Sequence, residues 1–279
     1  MKNKVILFIL CLLAGIAAYP VVFLIVGSFM NSDMLYSYLS PVLIDGEGYA
    51  SWGLFPWNFS LKSYIELLVD APSFFVMFWN SIKIVMVILV GQMIIAIPAA
   101  WGLAKYTFPL KKVIYFVYIV LMLMPFQVLM LPEYLVFDRI SLVDSHLSVI
   151  LPCIFSTFPI FIMQHLFSKI PNEVIEAAKL ESANDFQVFI YIGLPLGKQG
   201  IISALVLGFL EYWNLIEQPL AFLKDKTLWP MSLFLPNISI EEIGIAFVTS
   251  IIAFVPCGLV FVFGRGYLEQ GITVVTKKE

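Results

Sequence analysis

The sequence predicts an all-α, polytopic membrane protein: six transmembrane helices in a single domain over residues 1–279, with the N- and C-termini cytoplasmic. Three observations predict this. Apolar residues make up 61% of the 279 and charged residues only 13%, and the mean hydropathy is +0.96, which leaves too little polar cover for a water-soluble surface. Six weakly charged apolar runs, near 5–27, 80–104, 113–132, 147–167, 199–217 and 244–264, each have the length that a helix needs to cross a bilayer, about 20 residues. The basic residues fall unevenly between the intervening segments. With the N-terminus inside, the inner segments hold Lys2, Lys4, Lys105, Lys111, Lys112, Lys169, Lys179, Lys198, Arg265, Lys277 and Lys278, against Lys62, Arg139, Lys224 and Lys226 outside, and loops rich in Lys and Arg stay on the cytoplasmic side.

The first run follows Lys2 and Lys4 and is uncharged from Val5 to Gly27. The two lysines, with the small residues Ala14-Gly15-Ile16-Ala17-Ala18, also fit a secretory signal; because the run continues past them, a retained helix is the expectation. The loop at 28–78 is long, rich in aromatic residues, Ser, Gly and Pro, and carries Asp33, Asp45, Glu47, Glu66 and Asp70. The second run has Lys83 near its outer end, where an ammonium can snorkel to the interface. Pro98, Pro125, Pro152, Pro159 and Pro256 lie within the second, third, fourth and sixth runs. Each frees a backbone carbonyl and permits a kink, and both packing and a part in gating fit them.

Several classes of chemistry are excluded or disfavoured. The net charge of −3 points to no nucleic-acid partner. Cys11, Cys153 and Cys257 each lie in an apolar run without a CxxC spacing, and read as small embedded residues, not metal or redox groups. His146 and His165 are isolated and are expected at opposite membrane faces. The sequence has no GxxxxGK[ST] phosphate loop, no HExxH and no GxSxG. A chain of this kind is expected to bind no cofactor and to take its energy from a partner.

The most polar part of the chain is the loop at 168–198. Pro171 suits the first turn of a helix, and Glu173 and Glu176 follow near its positive end. A short helix over 172–182 is predicted, with Val174, Ala177 and Ala178 on one face. Asn184 with Gln187 three residues on reads as a fresh N-cap, opening a second short helix that carries Phe186, Phe189 and Ile190 and is closed by Pro195. Small residues followed by an aromatic knob suit docking in a groove of another protein. The loop lacks the basic polar face of a helix that lies flat on lipid.

Glu176-Ala177-Ala178, then Ser182-Ala183, then Ile192-Gly193-Leu194-Pro195-Leu196 resembles the EAA loop of ATP-binding-cassette importer permeases, whose usual form is EAAxxDGA and, after an aromatic, IxLPL. Asn80-Ser81-Ile82, the segment from Pro98 to Lys105, Met124-Pro125, Leu131-Pro132, Trp213-Asn214 and Pro219-Leu220 follow in the same order as in the carbohydrate-uptake branch, the relatives of the six-helix maltose permease, so that the similarity runs from about residue 59 to 267. Three features depart from it. Ser182 stands where the family usually has glycine, so a turn with positive φ would be strained there; Gln199 replaces a proline; and the tail at 271–279 differs.

The resemblance implies a type I importer permease fold and an alternating-access mechanism. It implies as partners a second homologous permease, two copies of a cytoplasmic ATP-binding subunit that hold the ATP and Mg, and an extracytoplasmic solute-binding protein. It assigns the contact with the ATPase to Glu176, Ala177, Ala178, Ser182, Ala183, Phe186 and Phe189. A sugar or oligosaccharide is the expected cargo; phosphate, an amino acid or a polyamine is the alternative, and a secondary transporter would need more intramembrane acids. One such acid is Glu211, which shares a helix face with Asn214 beside Tyr212 and Trp213. A carboxylate in a membrane span is costly unless it meets a cavity, a partner or the interface. Glu211, Trp213 and Asn214 are therefore candidates for the substrate pathway, with hydration of Glu211 at the outer interface as the other reading.

Overall fold

The computed structural model describes residues 2–43, 48–50, 58–235, 239 and 242–276. Asp45, Glu47, Lys277 and Lys278 lie outside the described residues. The chain runs through α1 (Lys2–Ser28), α2 (Ser32–Leu43), α3 (Lys62–Ile65) with a π turn at Glu66–Asp70, α4 (Pro72–Lys105), α5 (Lys111–Met122) and α6 (Phe126–Arg139). It continues through α7 (His146–Ile154), α8 (Phe158–Phe167), α9 (Asn172–Leu180), α10 (Asp185–Val188) with a π turn at Phe189–Gly193, α11 (Leu194–Trp213), α12 (Glu217–Phe222) and α13 (Ile243–Thr276). Among the described residues the one pairing of β type is an isolated bridge between Met30 and Phe59.

Among the described residues, five stretches are long and apolar enough to cross a membrane: Lys4–Ser28, Pro72–Lys105, His146–Phe167, Asp185–Trp213 and Ile243–Glu269. The run expected as one span near 113–132 is a pair, α5 and α6, bent by 99°, far more sharply than a kink. Pro125 is the cause. It is extended, with φ −69° and ψ 145°, has no N–H to give to the preceding turn, and forces Met124 out of the helical region. A second correction concerns Pro195, which does not close a helix. The preceding turn widens to π geometry, and Leu194 N–H bonds the Phe189 carbonyl five residues back. Pro195 then falls in the first turn of α11, where a missing N–H costs nothing. The fifth span therefore starts at Asp185, well before the expected 199, and the fourth is interrupted between Ile154 and Phe158, just ahead of Pro159.

The chain forms two compact units: residues 1–77 with 233–256, and residues 78–232 with 257–279. In the first, Met30, Leu35, Ile243 and Phe247 form the core. Phe247 lies edge-on to Phe23 at 5.3 Å and covers Gly27, where a Cβ would come within 2.5 Å of its ring.

In the second unit the core collects Ala96, Ala100, Trp101 and Leu103 of α4, Ile160, Met163 and Phe167 of α8, Val188 of α10 and Ala204 of α11. The π turn and α11 approach their neighbours closely because their inner face is small: Gly193 lies under Trp101, and in α11 Gly197 lies under Phe167, Gly200 under Leu166 and Gly208 under Leu89. Polar side chains close the frayed backbone. Gln92, fully buried, donates to the Cys153 carbonyl at the end of α7 at 2.6 Å and to the Tyr212 hydroxyl at 2.7 Å. Asn80 donates to the Thr227 and Trp229 carbonyls at 2.7 and 3.2 Å, and Ser81 Oγ accepts from Met231 N–H at 2.8 Å. α4 is thus bound at Asn80 and Ser81 to the 227–231 segment.

Packing at Gly197 gives a testable contrast. Gly197→Leu drives a side chain into the Phe167 ring and is expected to cost about 1–3 kcal/mol. Gly102→Ala, where nothing lies within 4 Å, is expected to be neutral or to stabilise by up to about 1 kcal/mol. Thermal unfolding of the purified protein in detergent measures both; equal midpoints for the two variants would contradict the close approach of α11.

Candidate functional site

The polar loop folds as an elbow of two helices. α9 begins after Pro171, with Glu173 in its first turn and Lys179 in its last, each charge matched to the helix dipole. It buries none of its side chains. The chain then reverses at Ser182, whose φ is 68°. Ser182 N–H bonds the Lys179 carbonyl at 3.0 Å and Ala183 N–H bonds the Ala178 carbonyl at 3.1 Å, the pairing of a Schellman turn, which calls for a left-handed residue at this position. Serine fills it here at a cost of about 1–2 kcal/mol. Asn184 restarts the helix with a capping box: its Oδ1 accepts from Gln187 N–H at 2.8 Å and Gln187 Oε1 accepts from Asn184 N–H at 2.9 Å. Lys179 spans the elbow to the Asp185 carboxylate at 2.7 Å, and this hydrogen-bonded ion pair holds the ammonium above the usual lysine range.

The residues expected to make the docking contact divide between two directions. Glu176, Ala177, Ser182 and Phe186 are exposed, Phe186 at 71%. Ala178 and Ala183 turn inward, packed against the core of the second unit. Phe189 is also turned in, its ring 5.8 Å from that of Trp101, so Phe186 and Phe189 do not share one outward face. The reason is the capping box: it starts α10 at Asp185 and so fixes which positions face the bundle. Two exposed apolar residues were missed by the sequence pattern, Leu180 at 88% and Tyr191 at 74%. Leu180 lies three residues beyond Ala177, and that spacing was the signal.

The second cluster of candidates sits at the other end of α11. Glu211 and Asn214 are exposed, while Tyr212 and Trp213 are buried. Trp213 stacks on Phe209 at 5.5 Å and meets Phe78 edge-on at 5.9 Å, so its ring belongs to the packing of the bundle. Asn214 donates to the Leu210 carbonyl at 2.8 Å and closes the helix. Glu133 was overlooked because α6 runs on past the expected end at 132; the carboxylate in the stretch Leu131-Pro132-Glu133-Tyr134 was its signal. Glu133 and Glu211 both lie within electrostatic reach of the buried Cys153. Around them, Cys153 Sγ donates to Gln218 Oε1 at 2.9 Å and Gln127 donates to Glu217 at 2.8 Å. The arrangement offers carboxylates and amides, groups suited to hydrogen-bonding hydroxyls.

Comparison with known proteins adds the following. The sequence profile of the family described as "Binding-protein-dependent transport system inner membrane component" matches residues 92–274. The arabinooligosaccharides transport system permease protein AraQ of Halalkalibacterium halodurans is 25% identical over 265 residues, 94% of this chain and 91% of that one. The lactose transport system permease protein LacG of Rhizobium radiobacter is 26% identical over 267 residues, 95% of this chain and 92% of that one. Among solved structures, a chain from a bacterial ABC transporter involved in the import of the acidic polysaccharide alginate superposes with a TM-score of 0.79 at 20% identity, covering 95% of this chain and 96% of that chain.

The elbow makes its own prediction. Ser182→Gly removes the left-handed penalty and is expected to stabilise the protein by about 0.5–1 kcal/mol after the added chain entropy of glycine; Ser182→Val is expected to destabilise it. Thermal unfolding in detergent tests this, and a lower midpoint for Ser182→Gly would contradict the turn.

Proposed function

This chain belongs to the family of binding-protein-dependent transport system inner membrane components, and on that premise we propose that it passes a sugar or oligosaccharide through the membrane by alternating access, driven by ATPase subunits that dock on the α9–α10 elbow. As a family member it is a multi-pass inner-membrane transport permease, and such permeases work with an ATPase and a solute-binding protein. The finer assembly is part of the proposal: a second homologous permease, two copies of the ATP-binding subunit holding ATP and Mg, and both termini on the cytoplasmic side with the elbow.

The observation that carries the reading is the uncovered apolar stripe of the elbow. Ala177, Leu180 and Phe186 stand exposed in the most polar loop of the chain. A few apolar anchors of this kind supply most of the energy of a docking surface. Exposed Ala177 is the contact residue of the Glu176-Ala177-Ala178 motif, and Ala178 holds α9 on the bundle. Sugar as the class of cargo is supported by the names of the relatives and by the hydroxyl-binding groups near Glu211, Asn214 and Glu133.

In proteoliposomes holding the full importer, Ala177→Arg is expected to lower uptake by at least about tenfold while the complex still hydrolyses ATP. Unchanged uptake would sink the docking surface. Glu211→Gln and Asn214→Ala are expected to weaken uptake of the sugar without changing ATPase docking, and wild-type uptake in both would remove them from the pathway.

A further inference from the structure

Lys105 is the last residue of α4. Its ammonium donates to the Ile170 carbonyl and, at 3.3 Å, to Asn172 Oδ1, and it lies within electrostatic reach of Glu173. The two acceptors and Glu173 belong to the turn that leads into α9 and to its first turn. Ile170 is itself buried, and its carbonyl precedes Pro171 at the junction of α8 and α9. Lysine at this place also suits the negative end of the α4 dipole.

α9 is otherwise lightly held. It buries no side chain, and only the half-buried Ile175 and Ala178 pack against the core. At its far end Lys179 ties it to Asp185 across the elbow. The near end is tied by Lys105 to a different helix, one that runs unbroken back to Asn80 and Ser81. There it is bonded to the Thr227, Trp229 and Met231 backbone. From residue 80 to 105 an α-helix rises about 37 Å at 1.5 Å per residue, enough to cross a bilayer.

We infer that Lys105 is a positioning residue that passes the displacement of α9 into α4, so that movement imposed on the elbow reaches the 227–231 segment bonded to the same helix at Asn80 and Ser81. The ammonium suits the task because a charge-assisted hydrogen bond is stronger than a neutral one and bears load between two stiff elements. The inference rests on the proposed docking role of the elbow and goes beyond it, because Lys105 makes no part of the exposed stripe.

The test uses the full importer complex in proteoliposomes and reads solute taken up per ATP hydrolysed. Lys105→Met is expected to leave ATP hydrolysis running and to lower uptake per ATP by about tenfold, within the 5- to 150-fold span of a typical coupling between sites. Lys105→Arg, which can donate to both acceptors, is expected to recover most of it, and Asn172→Ala, which removes one acceptor, to lose less than Lys105→Met. A merely structural lysine would lower the yield or melting temperature of the complex and leave uptake per ATP unchanged, and that result would overturn the inference. Should Lys105→Met fail to assemble, Asn172→Ala decides: a wild-type ratio overturns the inference and a lowered one supports it. The two levels of reading separate cleanly. If Ala177→Arg is uncoupled while Lys105→Met is not, only the role of Lys105 falls; if neither has an effect, the docking surface falls with it.

Discussion

Inside a bilayer a peptide carbonyl has no water to turn to, and at several places where this chain breaks a helix a side chain or a change of helical register meets the freed backbone. Gln92 reaches from α4 to the Cys153 carbonyl where α7 ends. The π turn at Phe189–Gly193 shifts the register so that Pro195 arrives in a first turn. Asn214 bonds back to Leu210 where α11 ends, and Lys105 meets the Ile170 carbonyl between α8 and α9. Pro195 enters the fifth span because the π turn precedes it, and the interruptions shape the elbow and the polar cluster.

Close packing does the second part of the work. The glycine face of the π turn and α11 sets the rings of Trp101 and Phe167 directly against the backbone, and Trp101 in turn receives Phe189 from the π turn. The elbow is therefore built on a rigid frame, while α9 is attached at its two ends and by the half-buried Ile175 and Ala178. A lightly held helix between two anchored points is suited to receiving a push from a neighbour and passing it on.

Hydropathy and charge placement made the spans and the family resemblance readable in the sequence, and the Asn184 and Gln187 pair announced its capping box. What was not readable depended on geometry that residue types do not carry. Pro125 signalled a kink but not a turn of 99°. Pro195 looked like a terminator because a π turn, which makes it harmless, leaves no periodic mark. Whether Ala177 or Ala178, and Phe186 or Phe189, would face outward hung on the phase of helices of nine and four residues, too short for periodicity to decide. Glu133 stayed hidden until α6 was seen to run on to Arg139. Ser182 was the reverse case: the sequence suggested strain at a glycine position, and the left-handed φ is there.

Contact between the elbow and an ATPase is tested by a photoreactive phenylalanine analogue placed at position 186 in the membrane-embedded importer. Phe186 is exposed and stands beside the Lys179 to Asp185 bridge, so irradiation is predicted to yield an adduct with the mass of this chain plus one ATP-binding subunit. Adducts with lipid alone, from a complex that still transports, would contradict the account.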